Sequence, residues 1–259
     1  MKTKALFLAV LIAMGGTLTA HAQLTTGEPS AKVIRTGNRA KRGDYGIYIG
    51  TTTTMFGNIF KDDVEMLPLP LINFKYMSSN HLELRVGLET YKLSEKLKGD
   101  INSSTNTTTQ TSQKYGESTL MLYPGFAYHF SSRNILDVYV GAELPLGWDA
   151  KSIKTTEDTY TSNSTKRSFV LGLGAFIGLQ AYIADLPLAL GLEYGISSRL
   201  DTGLKYKNEL TTNNKTTVSY SPSGQFDHMH TATSEYEKLK ARKGEIGGQL
   251  RLTLSYYFK

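Results

Sequence analysis

The strongest hint of chemistry in this chain is a set of charged side chains: Lys75, Glu83, Arg85, Glu89, Asp137, Glu143, Glu193, Arg199 and Arg251. They fall in, or beside, segments whose every second residue is apolar, on the face the apolar residues leave free. Charges so placed have two uses. In a hydrated passage they make a gate or a proton-linked conduit. In a passage too narrow for water they make a plug of salt bridges, because a buried charge must be paired or neutralised. The plug is the expectation here, since the charges are sparse and of both signs. With Ser78-Ser79-Asn80 as a three-residue turn, Met77 faces His81, Lys75 faces Glu83 and Asn73 faces Arg85, giving an ion pair straight across the hairpin. Glu89, Glu143, Glu193, Arg85 and Arg251 are expected to form one paired network that closes the interior.

Other constellations are weaker. His228-Met229-His230 puts two imidazoles on one face of an extended chain, but spacing fixes no third metal ligand, so a solvated loop is expected. His129 could pair with Asp137 across the turn after Phe130, yet no serine motif completes a hydrolytic set. Gly172-x-Gly174 lies in a strand pattern with no helix after it, so a phosphate loop is not formed there. With 0 Cys, disulfides and thiolate metal sites are excluded. The chain reads as a non-enzyme that needs no cofactor.

The elements that must position these charges are strands. Leu82, Leu84, Val86 and Leu88 alternate with Glu83, Arg85, Gly87 and Glu89, a separation that a strand puts on two faces and a helix would mix. The same period runs through 136–146, 169–183, 188–199 and 246–258, and less purely through 44–56, 67–77 and 118–130. That makes eight strands. Tight turns at 78–80, 131–134 and 184–187 alternate with long polar connections at 57–66, 98–114, 151–167 and 203–243. Within the last, Lys205, Lys207 and Glu209 are expected opposite Thr217, Ser219 and Tyr220, with a short helix over 234–243. An all-β, antiparallel up-and-down transmembrane barrel has this rhythm, with short periplasmic turns and long extracellular loops.

A soluble barrel would carry solvated Lys, Glu and Thr on its outer face. Here the face opposite the apolar one is poor in Lys and rich in Gly, which suits a narrow interior better than a wet exterior. Phe169 to Ile183 offers a long apolar face where a spanning strand needs only ~9–11 residues. Tyr76, Phe126, Tyr128, Phe130, Tyr182, Tyr256, Tyr257 and Phe258 lie beside the short turns, as an interfacial belt requires, and Phe56, Tyr91 and Trp148 lie at the other ends.

Residues 1–22 read as a secretory signal peptide: Lys2 and Lys4, an apolar run from Ala5 to Met14, and Ala20-His21-Ala22 before Gln23. Its removal takes away two lysines and lowers the net charge from +6 to +4, no argument for nucleic acid. Residues 23–43 read as a basic, flexible periplasmic segment, with Lys32, Arg35, Arg39, Lys41 and Arg42.

Segment 44–258, with its aromatic-ended last strand Leu250 to Phe258, resembles the small eight-stranded outer-membrane barrels of the OmpA and OmpX type, although Lys259 follows the final Phe258. The resemblance implies an outer-membrane location in a Gram-negative bacterium, with the lipid and the outer-membrane assembly machinery as partners. It leaves activity open, because such barrels serve as anchors, adhesins, resistance factors, narrow channels and a few lipid-modifying enzymes. The expectation is a surface or structural barrel whose loops 98–114, 151–167 and 203–243 bind a ligand or partner. The alternative is a narrow, porin-like pore or a conduit for small hydrophobic solutes.

Overall fold

In a computed structural model, residues 39–52, 71–102, 108–131, 135–158, 160–183, 186–220, 236–239 and 241–259 are described. The signal peptide, most of the basic segment, the connection 57–66 and the His228/His230 pair lie outside the described residues.

The chain is all-β and antiparallel. Its strands are β1 (Tyr45–Thr52), β2 (Leu71–Met77), β3 (Leu82–Asn102), β4 (Thr108–His129), β5 (Leu136–Glu143), β6 (Leu146–Glu157), β7 (Tyr160–Tyr182), β8 (Leu188–Thr212), β9 (Lys215–Ser219) and β10 (Ala241–Phe258). Among the described residues no helix is long and apolar enough to cross a membrane.

Ten segments make a ring of eight. β5 and β6 share one register against each neighbour: Gly125↔Glu143 continues into Leu122↔Leu146, and Glu143↔Gly174 into Leu146↔Leu171. They are one strand broken by Pro145, which has no N–H to give. The ladder survives the break, since Leu144 N–H donates to Pro124 O at 2.8 Å and Gly172 N–H to Pro145 O at 2.7 Å. β9 only extends β8 as a hairpin, and β1 pairs with β10, so the ring closes. Closure leaves no free edge in the ring itself.

Burial in this ring is inverted. Charged and glycine residues point inward, and Leu, Ile, Val and Phe point outward, with Leu173 62% exposed. On β7 the outward apolar set runs from Phe169 to Leu179, and matching positions on β3, β4, β8 and β10 continue it around the ring.

The connections at 98–114 and 151–167 are not loops but β-hairpins, in which β3, β4, β6 and β7 run far past the ring. These segments are polar on both faces, so the alternation that marks a strand is missing although the ladder is complete. Residues 203–212 likewise continue β8 against β7, with Lys205↔Arg167 and Lys207↔Thr165. Thr217 and Ser219 therefore face Leu210 and Asn208, not the lysines. Asn213 and Asn214, at φ 50° and 61°, close that hairpin with the left-handed pair a two-residue turn needs. Over 234–243 the described residues hold a bridge at Tyr236 and the start of β10 instead of a helix. Gly203, at φ 60°, sits where β8 slips register against both β7 and β10.

Two aromatic placements also differ from expectation. Tyr182 and Tyr257 are buried inside the ring, whereas Tyr45, Tyr76, Tyr128, Phe130, Tyr256 and Phe258 form the outer band at the short-turn end.

Candidate functional site

The interior is built from ions in pairs. Nearest the short turns, Asp137 Oδ2 lies 2.6 Å from His129 Nδ1 and 2.9 Å from Arg39 Nη2, and accepts from Gln180 Nε2 at 3.1 Å. His129 Nε2 lies 3.4 Å from Glu83 Oε2, which faces Lys75 Nζ at 3.2 Å. Lys75 in turn stands over the rings of Tyr48 and Tyr257 and donates to the Tyr257 hydroxyl at 3.3 Å. Both imidazole nitrogens of His129 face carboxylates, which leaves neither to activate a hydroxyl.

The middle layer crosses the ring. Arg85 Nη1 donates to Glu193 Oε1 at 2.7 Å, and Tyr139 Oη donates to the same oxygen at 2.9 Å. The Arg85 guanidinium lies 3.7 Å from the centroid of Phe176. Arg251 holds Glu143 with Nη1 and Nη2 at 3.0 and 2.6 Å and approaches Glu193 Oε2 at 3.9 Å. Four cations, Arg39, Lys75, Arg85 and Arg251, thus face four carboxylates, Glu83, Asp137, Glu143 and Glu193.

Two members of the expected set stand apart. Glu89 accepts from Tyr123 Oη at 2.6 Å and forms no ion pair among the described residues. Arg199 lies higher, on Asp149 and Asp201. Above Arg251, a polar cavity of about 520 Å³ opens between Glu89, Tyr123, Arg199, Glu245 and Gln249.

The hairpin register differs from the three-residue turn. Met77 pairs with Glu83, Lys75 with Arg85 and Asn73 with Gly87, two residues out of step. A slip of two keeps every side chain on its face. Lys75 therefore still meets Glu83, now diagonally.

Several participants carry no charge pattern to reveal them. Tyr139 pairs with Gly178, Phe176 with Gly141 and Tyr257 with Gly46, each ring lying over a glycine on the adjacent strand. The inner-face glycines mark these rings once the register is known. Within the basic segment, Arg39 and Ala40 pack into the base of the ring, while Lys41 and Arg42 after them are exposed. Among the described residues no group of three or more His, Cys, Asp or Glu is placed to hold a metal.

The chain matches no family model and no curated protein.

Proposed function

We propose that this protein is a non-enzymatic outer-membrane β-barrel of the small eight-stranded kind, exported by the signal peptide at 1–22 and serving as a rigid anchor. Its long hairpins stand on the cell surface, where they bind a ligand or partner. The observation that carries this reading is the inverted burial: paired ions fill the interior while an unbroken band of Leu, Ile, Val and Phe faces outward. Water would hold such a band at high cost, since soluble monomers rarely expose contiguous apolar patches beyond a few hundred Å². Hydrocarbon holds it freely.

The sealed interior favours an anchor over a pore. An ion entering the middle layer would have to shed water among carboxylates and guanidiniums that already satisfy one another. The test combines three measurements on the mature chain refolded in lipid: flotation with vesicles, electrophoretic mobility with and without boiling, and planar-bilayer conductance. Co-flotation, faster migration unboiled and no steady current are expected. Failure to float removes the membrane reading, whereas co-flotation with steady ion current puts the pore in place of the anchor.

A further inference from the structure

On the outer face, just past the apolar band, five strands line up one row: Lys92, Ser118, Ala150, Arg167 and Lys205 are successive cross-strand partners. The row below it, toward the short turns, is Leu120, Trp148 and Phe169, with the two rings in edge contact at 5.4 Å. The row above is Ser94, Gly116, Ser152 and Thr165. Beyond that, Lys96, Lys114 and Lys154 are successive partners. Small residues in the middle and long cations around them leave a dent of about 230 Å³, bordered by Lys92, Lys114 and Arg167 and by Glu117, whose carboxylate is held by Lys151 at 2.7 Å. That holds about seven waters at ~30 Å³ each, and so a phosphate group.

The charge here is unbalanced, in contrast to the interior. Lys92, Lys96, Lys114, Lys154, Arg167 and Lys205 are all exposed, and none forms an ion pair among the described residues. The nearest outward carboxylate in these rows, Glu209, is already held by Lys207 at 2.5 Å and by Asn163 at 3.0 Å.

Resting on the membrane reading, we propose that this patch is a binding site for a lipid with a phosphate monoester headgroup in the leaflet beside the long hairpins. The phosphate sits in the dent between Lys92 and Arg167, with Lys205 beside Arg167 in the same row, and the acyl chains run down over Leu120, Trp148 and Phe169. Two features select a lipid over a free anion. The cations begin one row, about 7 Å at ~3.4 Å per residue, above the aromatic pair, the spacing of a headgroup over its chains. The floor of the site is also continuous with the apolar band, which a free phosphate would leave unused.

Trp148 is the only tryptophan in the chain, which supplies a native probe at the site. The mature protein is refolded into phosphatidylcholine vesicles containing a few mole per cent of phosphatidic acid with brominated chains, and quenching of Trp148 is compared with that by brominated phosphatidylcholine. Enrichment of phosphatidic acid at Trp148 on the order of tenfold, which is about 1.4 kcal/mol, is expected. Enrichment should fall to near unity in Lys92→Gln/Arg167→Gln/Lys205→Gln. It should persist in Lys41→Gln/Lys215→Gln/Lys238→Gln, which loses the same charge elsewhere, and in excess inorganic phosphate. Equal enrichment in both triple variants, or none in wild type, overturns the site. Displacement by inorganic phosphate overturns the lipid as its occupant. A chain that fails to float with vesicles at all refutes the membrane reading itself, so the two failures are told apart.

Discussion

Arg251 grips Glu143 with both terminal nitrogens, at 3.0 and 2.6 Å, although β7 and β8 separate their strands along the sheet. The contact therefore crosses the interior. It ties opposite walls together, and its energy depends on both partners being present. Arg251→Ala leaves Glu143 buried without its guanidinium, at an expected cost of about 3–5 kcal/mol, whereas replacing the pair by apolar side chains of similar size is often close to neutral. The double variant Arg251→Met/Glu143→Leu should accordingly be more stable than Arg251→Ala. Urea unfolding in lipid vesicles decides this, and equal losses in the two variants would show that the pair contributes no coupling.

The rings that pack around these ions need the space glycine leaves. A Cβ on Gly178 would lie 2.2 Å from Tyr139 Cζ, so Gly178→Ala must push aside the ring that donates to Glu193. Overpacking of this kind costs about 1–3 kcal/mol. Gly247 has nothing within 4 Å of the same position, and Gly247→Ala should be neutral or slightly stabilising. Melting of the two variants side by side measures the difference.

These two residue pairs also mark where the sequence is legible. Face assignment follows from period 2 alone, and Glu83, Arg85, Glu143, Glu193 and Arg251 all lie on the inner face that it assigns them. Register does not follow, because a slip of two at residues 78–82 preserves every face and leaves no trace in the pattern. Partner identity across the ring is invisible for the same reason: Arg251 and Glu143 meet only after closure sets how the walls face each other. The hairpins were hidden by their composition. Lys96, Lys114 and Lys154 stand in strands whose two faces are both wet, so nothing alternates. Arg39 was hidden differently, since a lone arginine in a basic stretch carries no sign that Asp137 awaits it.

The outward band gives a depth-dependent test of the membrane reading. Leu173 lies in mid-band on β7, and Leu97 lies nine residues beyond Leu88 on β3; both are more than half exposed. In hydrocarbon, arginine at mid-band costs about 2–4 kcal/mol, and beyond the interface close to nothing. Leu173→Arg should lower folding stability in bilayers by that amount, and Leu97→Arg should leave it unchanged. Equal, small effects at both sites would place the band in water.

The tall hairpins should respond to pH through Glu209. Lys207, and then Asn163, hold its carboxyl below the ordinary carboxylate range, by hydrogen bonds at 2.5 and 3.0 Å. A carboxyl whose value is lowered on folding contributes stability that is fully present above its unfolded value, ~4.3, and is lost as pH falls through the folded one. The side chain is about a third exposed, so the contribution is screened and local. Amide protection factors in Asn208 to Thr212 should therefore fall between pH 5 and pH 3 in wild type. In Glu209→Gln, which cannot titrate, they should stay level over the same interval. The interior pairs do not share this route to solvent, so amides of β5 and β10 serve as the internal reference. Parallel loss of protection in wild type and Glu209→Gln would assign the pH response to another group.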